Sequence, residues 1–165
     1  MTNRPRVLWI EDSARYELSE LAGPVYFSRK YTLTLAEDAS SAVYQVTNII
    51  FDVLIVDMRI PPGSHPTWED LYKKDGKVKG NPKLGLHLLE WLLLPPEKNP
   101  YLKFFGLPPI WIKSTQIAVF TVENWDQIAG ELDYLGIKTY QQKTATRRDT
   151  ALLDLIEKTH ANGTN

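Results

Sequence analysis

Residues 51–63 read FDVLIVDMRIPPG. Val53, Leu54, Ile55 and Val56 form an unbroken apolar run that meets Asp57 directly, and Pro61 and Pro62 then end any regular element. Such a run suits a strand at the centre of a parallel sheet, covered on both faces. A carboxylate at the mouth of a buried strand is costly unless ionic partners complete the site. Those partners have to come from elsewhere in the chain.

Outward from this stretch, strand and helix patterns alternate. RVLWI, 6–10, is a buried strand ending at Glu11 and Asp12, and SARYELSELAG gives Tyr16, Leu18 and Leu21 a helical face that closes near Gly23-Pro24. YTLTLAED, 31–38, predicts a second strand, followed by a helix carrying Ala39, Ala42, Val43 and Val46. After FDVLIVD, the run LGLHLLEWLLL at 84–94 predicts a helix with Leu84, Leu88 and Leu92 on one stripe. QIAVFT, 116–121, is a fourth buried strand. Trp125, Ile128, Leu132 and Leu135 then follow at helical spacing, with Gly136 as the C-terminal cap. KTYQQK, 138–143, predicts a more polar fifth strand near an edge, and RRDTALLDLIEKTH a last helix before the short tail ANGTN.

Five strand and helix pairs in strict alternation predict an α/β domain with a parallel sheet and right-handed crossovers, one domain over 1–165. Two intervals exceed a minimal version of it. Residues 62–83 form a polar excursion with five lysines, and residues 95–115 are rich in proline and aromatics. The first reads as a solvated loop near the carboxyl edge, where Trp68, Tyr72 and the lysines would meet a partner or cover the site. The second lies toward the opposite end of the sheet. There Tyr101, Phe104, Phe105 and Trp111 predict a satellite core or an interaction surface.

Composition narrows the chemistry. Nineteen basic residues against twenty acidic ones remove the long-range attraction to nucleic acid or an anionic membrane. Without cysteine there is no disulfide, thiolate or sulfur-ligated metal, and His65, His87 and His160 are scattered. The opening residues carry no secretory pattern, and LLEWLLL is too short to span a bilayer. The expectation is a soluble cytoplasmic protein.

In an open parallel sheet, sites form outside the carboxyl ends of the strands. Those ends deliver Glu11 and Asp12, Asp57, Thr121 and Lys143 to one edge. Clustered carboxylates repel one another unless a hard divalent cation with oxygen ligands sits among them, and Mg²⁺ fits a donor set without sulfur. An aspartate beside such a cation would act as a nucleophile toward phosphorus, while a lysine and a hydroxyl contact the equatorial oxygens.

The set resembles the CheY-like receiver domain of two-component response regulators. The matching marks are Glu11-Asp12 after strand one, Asp57 in LIVDMRIP, Pro61 four residues on, Gly85 opening the third predicted helix, Thr121, Tyr140, and Lys143 at the end of strand five. The resemblance implies a flavodoxin-like three-layer sandwich with a five-stranded parallel sheet in the order 2-1-3-4-5. It implies Asp57 as phosphoacceptor, Mg²⁺ held by Glu11, Asp12, Asp57 and the backbone carbonyl of Arg59, and Thr121 with Lys143 as the phosphate-sensing pair. Tyr140 would be the aromatic switch that follows Thr121, against the plainer reading of a half-buried strand tyrosine. The implied partners are a histidine kinase or phosphotransfer protein, a downstream protein target and a second copy in a homodimer, with no nucleic acid and no membrane.

The chain departs from the family pattern where Thr144 follows Lys143 in place of proline, and where Val122 takes the place of a small residue. Arg59 and Glu123 each stand two residues past a site residue and would pair across the pocket to exclude water. The alternative function is a receiver-fold interaction module with weak or no phosphorylation. A phosphatase of the haloacid dehalogenase type is disfavoured, because Arg59 stands where its second aspartate belongs. Flavin is disfavoured by the acidic pocket.

Overall fold

The computed structural model of the chain describes residues 3–12 and 18–165, the Lys79 side chain excepted. Tyr16, predicted on the first helical face, lies outside the described residues. The strands are β1 (Arg6–Ile10), β2 (Thr32–Ala36), β3 (Val53–Val56), β4 (Ile117–Thr121) and β5 (Thr139–Gln142). The helices are α1 (Leu18–Ser28), α2 (Ala39–Asn48), α3 (Pro66–Lys79), α4 (Leu84–Leu93), the single turn α5 (Leu102–Phe105), α6 (Trp125–Tyr134) and α7 (Ala151–Gly163). All strand pairs are parallel and the order is β2-β1-β3-β4-β5, the flavodoxin-like arrangement.

Strand alternation divides the interior into two layers. Leu8, Ile10, Leu54, Val56, Ile117 and Val119 face a core completed by α2, α4 and α6. Val7, Trp9, Val53, Ile55, Ala118 and Phe120 face the other side, against α1 and α7. Every residue of β3 and β4 is buried, as the unbroken apolar runs require for central strands. The polar β5 lies at an edge. No helix among the described residues is long and apolar enough to cross a membrane.

Three local expectations change. The first helix does not close at Gly23-Pro24: α1 continues through Pro24 to Ser28, because Leu21, Ala22 and Val25 are buried on one face and carry the helix past the missing N–H. Trp125, predicted on the core face of α6, is 40% exposed and packs at the helix start against Tyr140 at 5.2 Å, while Ile128, Leu132 and Leu135 do enter the core. The polar interval after Pro61 is no loop. Its residues 66–79 form the helix α3, with Pro66 in its first turn, the His65 ring accepting from the Thr67 N–H at 3.2 Å, and Gly80 at φ 72° ending it. Gly63 turns the chain before it at φ 75°, where a Cβ would stand 2.3 Å from the Asp38 carboxylate that caps α2.

The two excursions, expected at opposite ends of the sheet, meet. Trp68 is fully buried and stacks on Phe105 at 4.6 Å, and Trp91 of α4 approaches the same ring edge-on at 5.8 Å. Trp68 is thereby withdrawn from any partner. Below this stack, His87 of α4 contacts Asp75 of α3 at 2.8 Å through Nε2 and the Tyr101 hydroxyl at 2.5 Å through Nδ1, and that hydroxyl donates to Glu90 at 2.8 Å. Of the aromatics expected in a satellite core, Tyr101 belongs to the main core on the α2, α4 and α6 side and Phe105 and Trp111 pack against it, so they extend that core and form no separate one. Phe104, Leu107 and Ile110 stay exposed beside it.

Candidate functional site

Asp57 follows β3 and is fully buried; its N–H donates to the Ile10 carbonyl at 3.0 Å, which continues the β1–β3 ladder one step past Val56. Its Oδ1 accepts from the Arg59 N–H at 3.2 Å and its Oδ2 from Lys143 Nζ at 3.0 Å. Lys143 also bonds Glu11, itself 2% exposed, so one ammonium bridges the carboxylates at the ends of β1 and β3. The lysine is placed by its own backbone, whose N–H donates to the Thr121 carbonyl at 2.7 Å and extends the β4–β5 ladder. Strand pairing alone thus brings it across the edge, with Thr144 in place of proline.

Among the described residues, the Glu11 and Asp57 carboxylates share the Lys143 ammonium. Burial first, and the Asp57 charge second, push the Glu11 carboxyl up to about 7 against the pull of Lys143. The donors of Glu11, Asp12 and Asp57 are all oxygen, the kind a hard divalent cation takes. Among the described residues no three acidic or imidazole side chains are gathered into a metal cluster; Lys143 lies between Glu11 and Asp57, and Asp12 lines the adjoining cavity. That cavity, about 310 Å³, is walled by Asp12, Arg59, Ile60, Pro61 and the inserted residues Tyr72 and Gly80 to Pro82.

Thr121 is fully buried, and its Oγ1 accepts from the Glu123 N–H at 3.4 Å. Glu123 is 3% exposed and pairs with Arg59 Nε at 2.5 Å, the pairing considered on the strength of the receiver resemblance. Its other carboxylate oxygen lies 3.9 Å from Lys83 Nζ. The Glu123 carbonyl accepts from the Tyr140 hydroxyl at 2.5 Å, so Tyr140, on the edge strand, joins the loop that follows Thr121.

Two features escape a reading of strand ends. Gly85 is pressed against the site backbone: a Cβ there would fall 2.0 Å from the Asp57 carbonyl oxygen, and its N–H donates to Met58 at 3.0 Å. Lys83, counted among the solvated lysines, turns toward Glu123. The signal for it is its place two residues before Gly85, but only the packing of α4 on the Asp57 turn gives that spacing meaning.

No protein-family model matches the chain, and no curated protein matches it by sequence. Solved structures do resemble it. A CheY-like response regulator receiver domain protein from Methanospirillum hungatei superimposes with a TM-score of 0.61 at 15% identity, over 98% of each chain. The signal receiver domain of a LuxO repressor protein from Vibrio parahaemolyticus gives 0.59 at 17% identity, over 98% of this chain and 94% of that one. The chemotaxis response regulator CheY4 of Vibrio cholerae gives 0.58 at 16%, over 95% and 99%. At these identities the likeness is one of fold, and the fold is that of receiver domains.

Proposed function

We propose that the chain is a phosphoacceptor receiver of a two-component phosphorelay, taking a phosphoryl group on Asp57 from a phosphohistidine donor. The observation that carries this reading is the Asp57–Lys143 contact of 3.0 Å at the mouth of the buried β3, with Glu11 on the same ammonium. An Asp57 carboxylate oxygen attacks phosphorus; the P–N bond to the donor imidazole breaks with its electron pair on nitrogen, which keeps or gains a proton, and an acyl phosphate results. Lys143 and the Thr121 hydroxyl meet the charge on the equatorial oxygens. Glu11, Asp12, Asp57 and the Arg59 carbonyl would hold Mg²⁺, which neutralises phosphoryl charge when bound. The Arg59–Glu123 pair screens the acyl phosphate from water, so the phosphoryl group is long-lived.

In this reading the domain works in the cytoplasm. Tyr140 reports the change at Thr121 to a protein partner through the β4–α6 loop, and the same edge serves a homodimer. Incubation with Mg²⁺ and acetyl phosphate, followed by intact mass, is expected to add one phosphoryl group that Asp57→Ala abolishes and Arg59→Ala shortens in lifetime. A wild-type chain that gains no Asp57-dependent mass overturns the reading. The second reading, an interaction module independent of phosphorylation, draws on the exposed Leu107 and Ile110 of the aromatic excursion; partner binding indifferent to Asp57→Ala would favour it.

A further inference from the structure

Lys83 has no counterpart among the strand-end residues that make up the site. It sits at the junction of the inserted segment and α4, directly after Gly80 to Pro82, which wall the cavity that Asp12 and Arg59 also line. Two residues on, Gly85 packs against the Asp57 carbonyl, which places the Lys83 backbone beside the Asp57 turn. Its side chain is 26% exposed and its ammonium faces Glu123 Oε2 at 3.9 Å, whereas Glu123 Oε1 is bonded to Arg59. Glu123 is thus a carboxylate, 3% exposed, with a cation on each oxygen, both of them nearer to solvent than the acid they hold.

We infer that Lys83 is an anion-binding residue of the phosphoryl site, and that Glu123 is the resident anion which an incoming phosphate displaces from it. The inference deepens the reading of Asp57 and rests on it for the identity of the anion. A 3.9 Å separation is an ion pair without a short hydrogen bond, one that an oxygen of a doubly charged phosphate would exceed. The segment that enlarges this chain would then contribute directly to holding the donor.

The test uses the full chain with Mg²⁺ and two measurements, calorimetric binding of inorganic phosphate and the rate of uptake from acetyl phosphate across donor concentrations. Lys83→Gln is expected to weaken phosphate binding about tenfold and to raise the apparent KM for acetyl phosphate while sparing the limiting rate; Lys83→Arg restores most of both. Glu123→Gln is expected to act in the opposite direction, tightening phosphate by several-fold, because the resident anion is gone. A merely structural ion pair would weaken binding in both variants, and that outcome overturns the inference, as does unchanged binding in Lys83→Gln. Lys73→Gln, exposed on α3, serves as the charge control. If wild-type chain takes no phosphoryl group yet phosphate binding falls with Lys83→Gln and rises with Glu123→Gln, the Asp57 reading fails and Lys83 stands.

Discussion

The carboxyl edge of the sheet and the inserted layer over α4 handle burial in opposite ways. At the edge, Glu11, Asp57, Thr121 and Glu123 are buried polar groups gathered around Lys143, Arg59 and Lys83, and backbone ladders one residue past the strands hold them there. In the layer, Trp68, Trp91 and Phe105 pack face and edge around one ring. A buried ionic site in which one ammonium bridges two carboxylates and one carboxylate faces two cations can exchange partners, whereas an aromatic stack has one good arrangement. Function is therefore sought at the edge, and the layer is the frame that fixes α3 and the start of α4 beside it.

The largest effect that would separate the two regions is Trp68→Ala. It deletes a fully buried indole stacked on Phe105, and about 3–5 kcal/mol of stability is expected to go with it, read by urea unfolding. A double-mutant cycle with Phe105→Ala should return a coupling of about 1 kcal/mol. The molecules that remain folded should still take a phosphoryl group on Asp57; a loss of uptake larger than the loss of folded protein would show that the layer is part of the site.

Gly85→Ala is the sharper probe, because it strikes the seam. The new methyl would meet the Asp57 carbonyl at 2.0 Å, and backbone on both sides must give. About 1–3 kcal/mol of destabilisation is expected, together with slower uptake, since α4 and Lys83 move away from Asp57. Stability lost without any change in uptake would mean that the position of α4 does not matter to the chemistry.

The same contrast separates what the amino-acid sequence makes legible from what it conceals. The strands β1, β3 and β4 declare themselves by apolar runs of four residues and β2 by alternation, while the polar β5 follows from its place in the series, and their order along the chain puts Glu11, Asp57, Thr121 and Lys143 on one edge by topology. The helix α3 does not, because Trp68 and the half-buried Leu71 are its apolar anchors among lysines and acids, and no periodic stripe forms; the brackets Pro66 and Gly80 are the available signal. Pro24 misleads in the other direction, since tertiary burial of Val25 overrides a local breaker. Lys83 is hidden for a third reason: its meaning depends on a contact between Gly85 and a carbonyl 28 residues earlier, at Asp57, which no local pattern encodes.

The smallest expected effect distinguishes the polar network of His87, Tyr101 and Glu90 in the layer from the edge. Burial first, and the Glu90 charge second, raise the Tyr101 phenol above its usual range. The folded chain therefore keeps this proton when the unfolded chain, with an ordinary tyrosine, begins to lose it near pH 10. With the folded value raised, the contribution is complete below about pH 10 and is lost as pH rises further. Tyr101→Phe removes that titration while also giving up the bonds to His87 and Glu90. The variant should be less stable than wild type at pH 8, and the gap should close by about 1 kcal/mol between pH 10 and pH 11, read by urea unfolding at each pH. A gap that stays constant would mean that Tyr101 does not hold its proton more tightly in the fold than in the open chain.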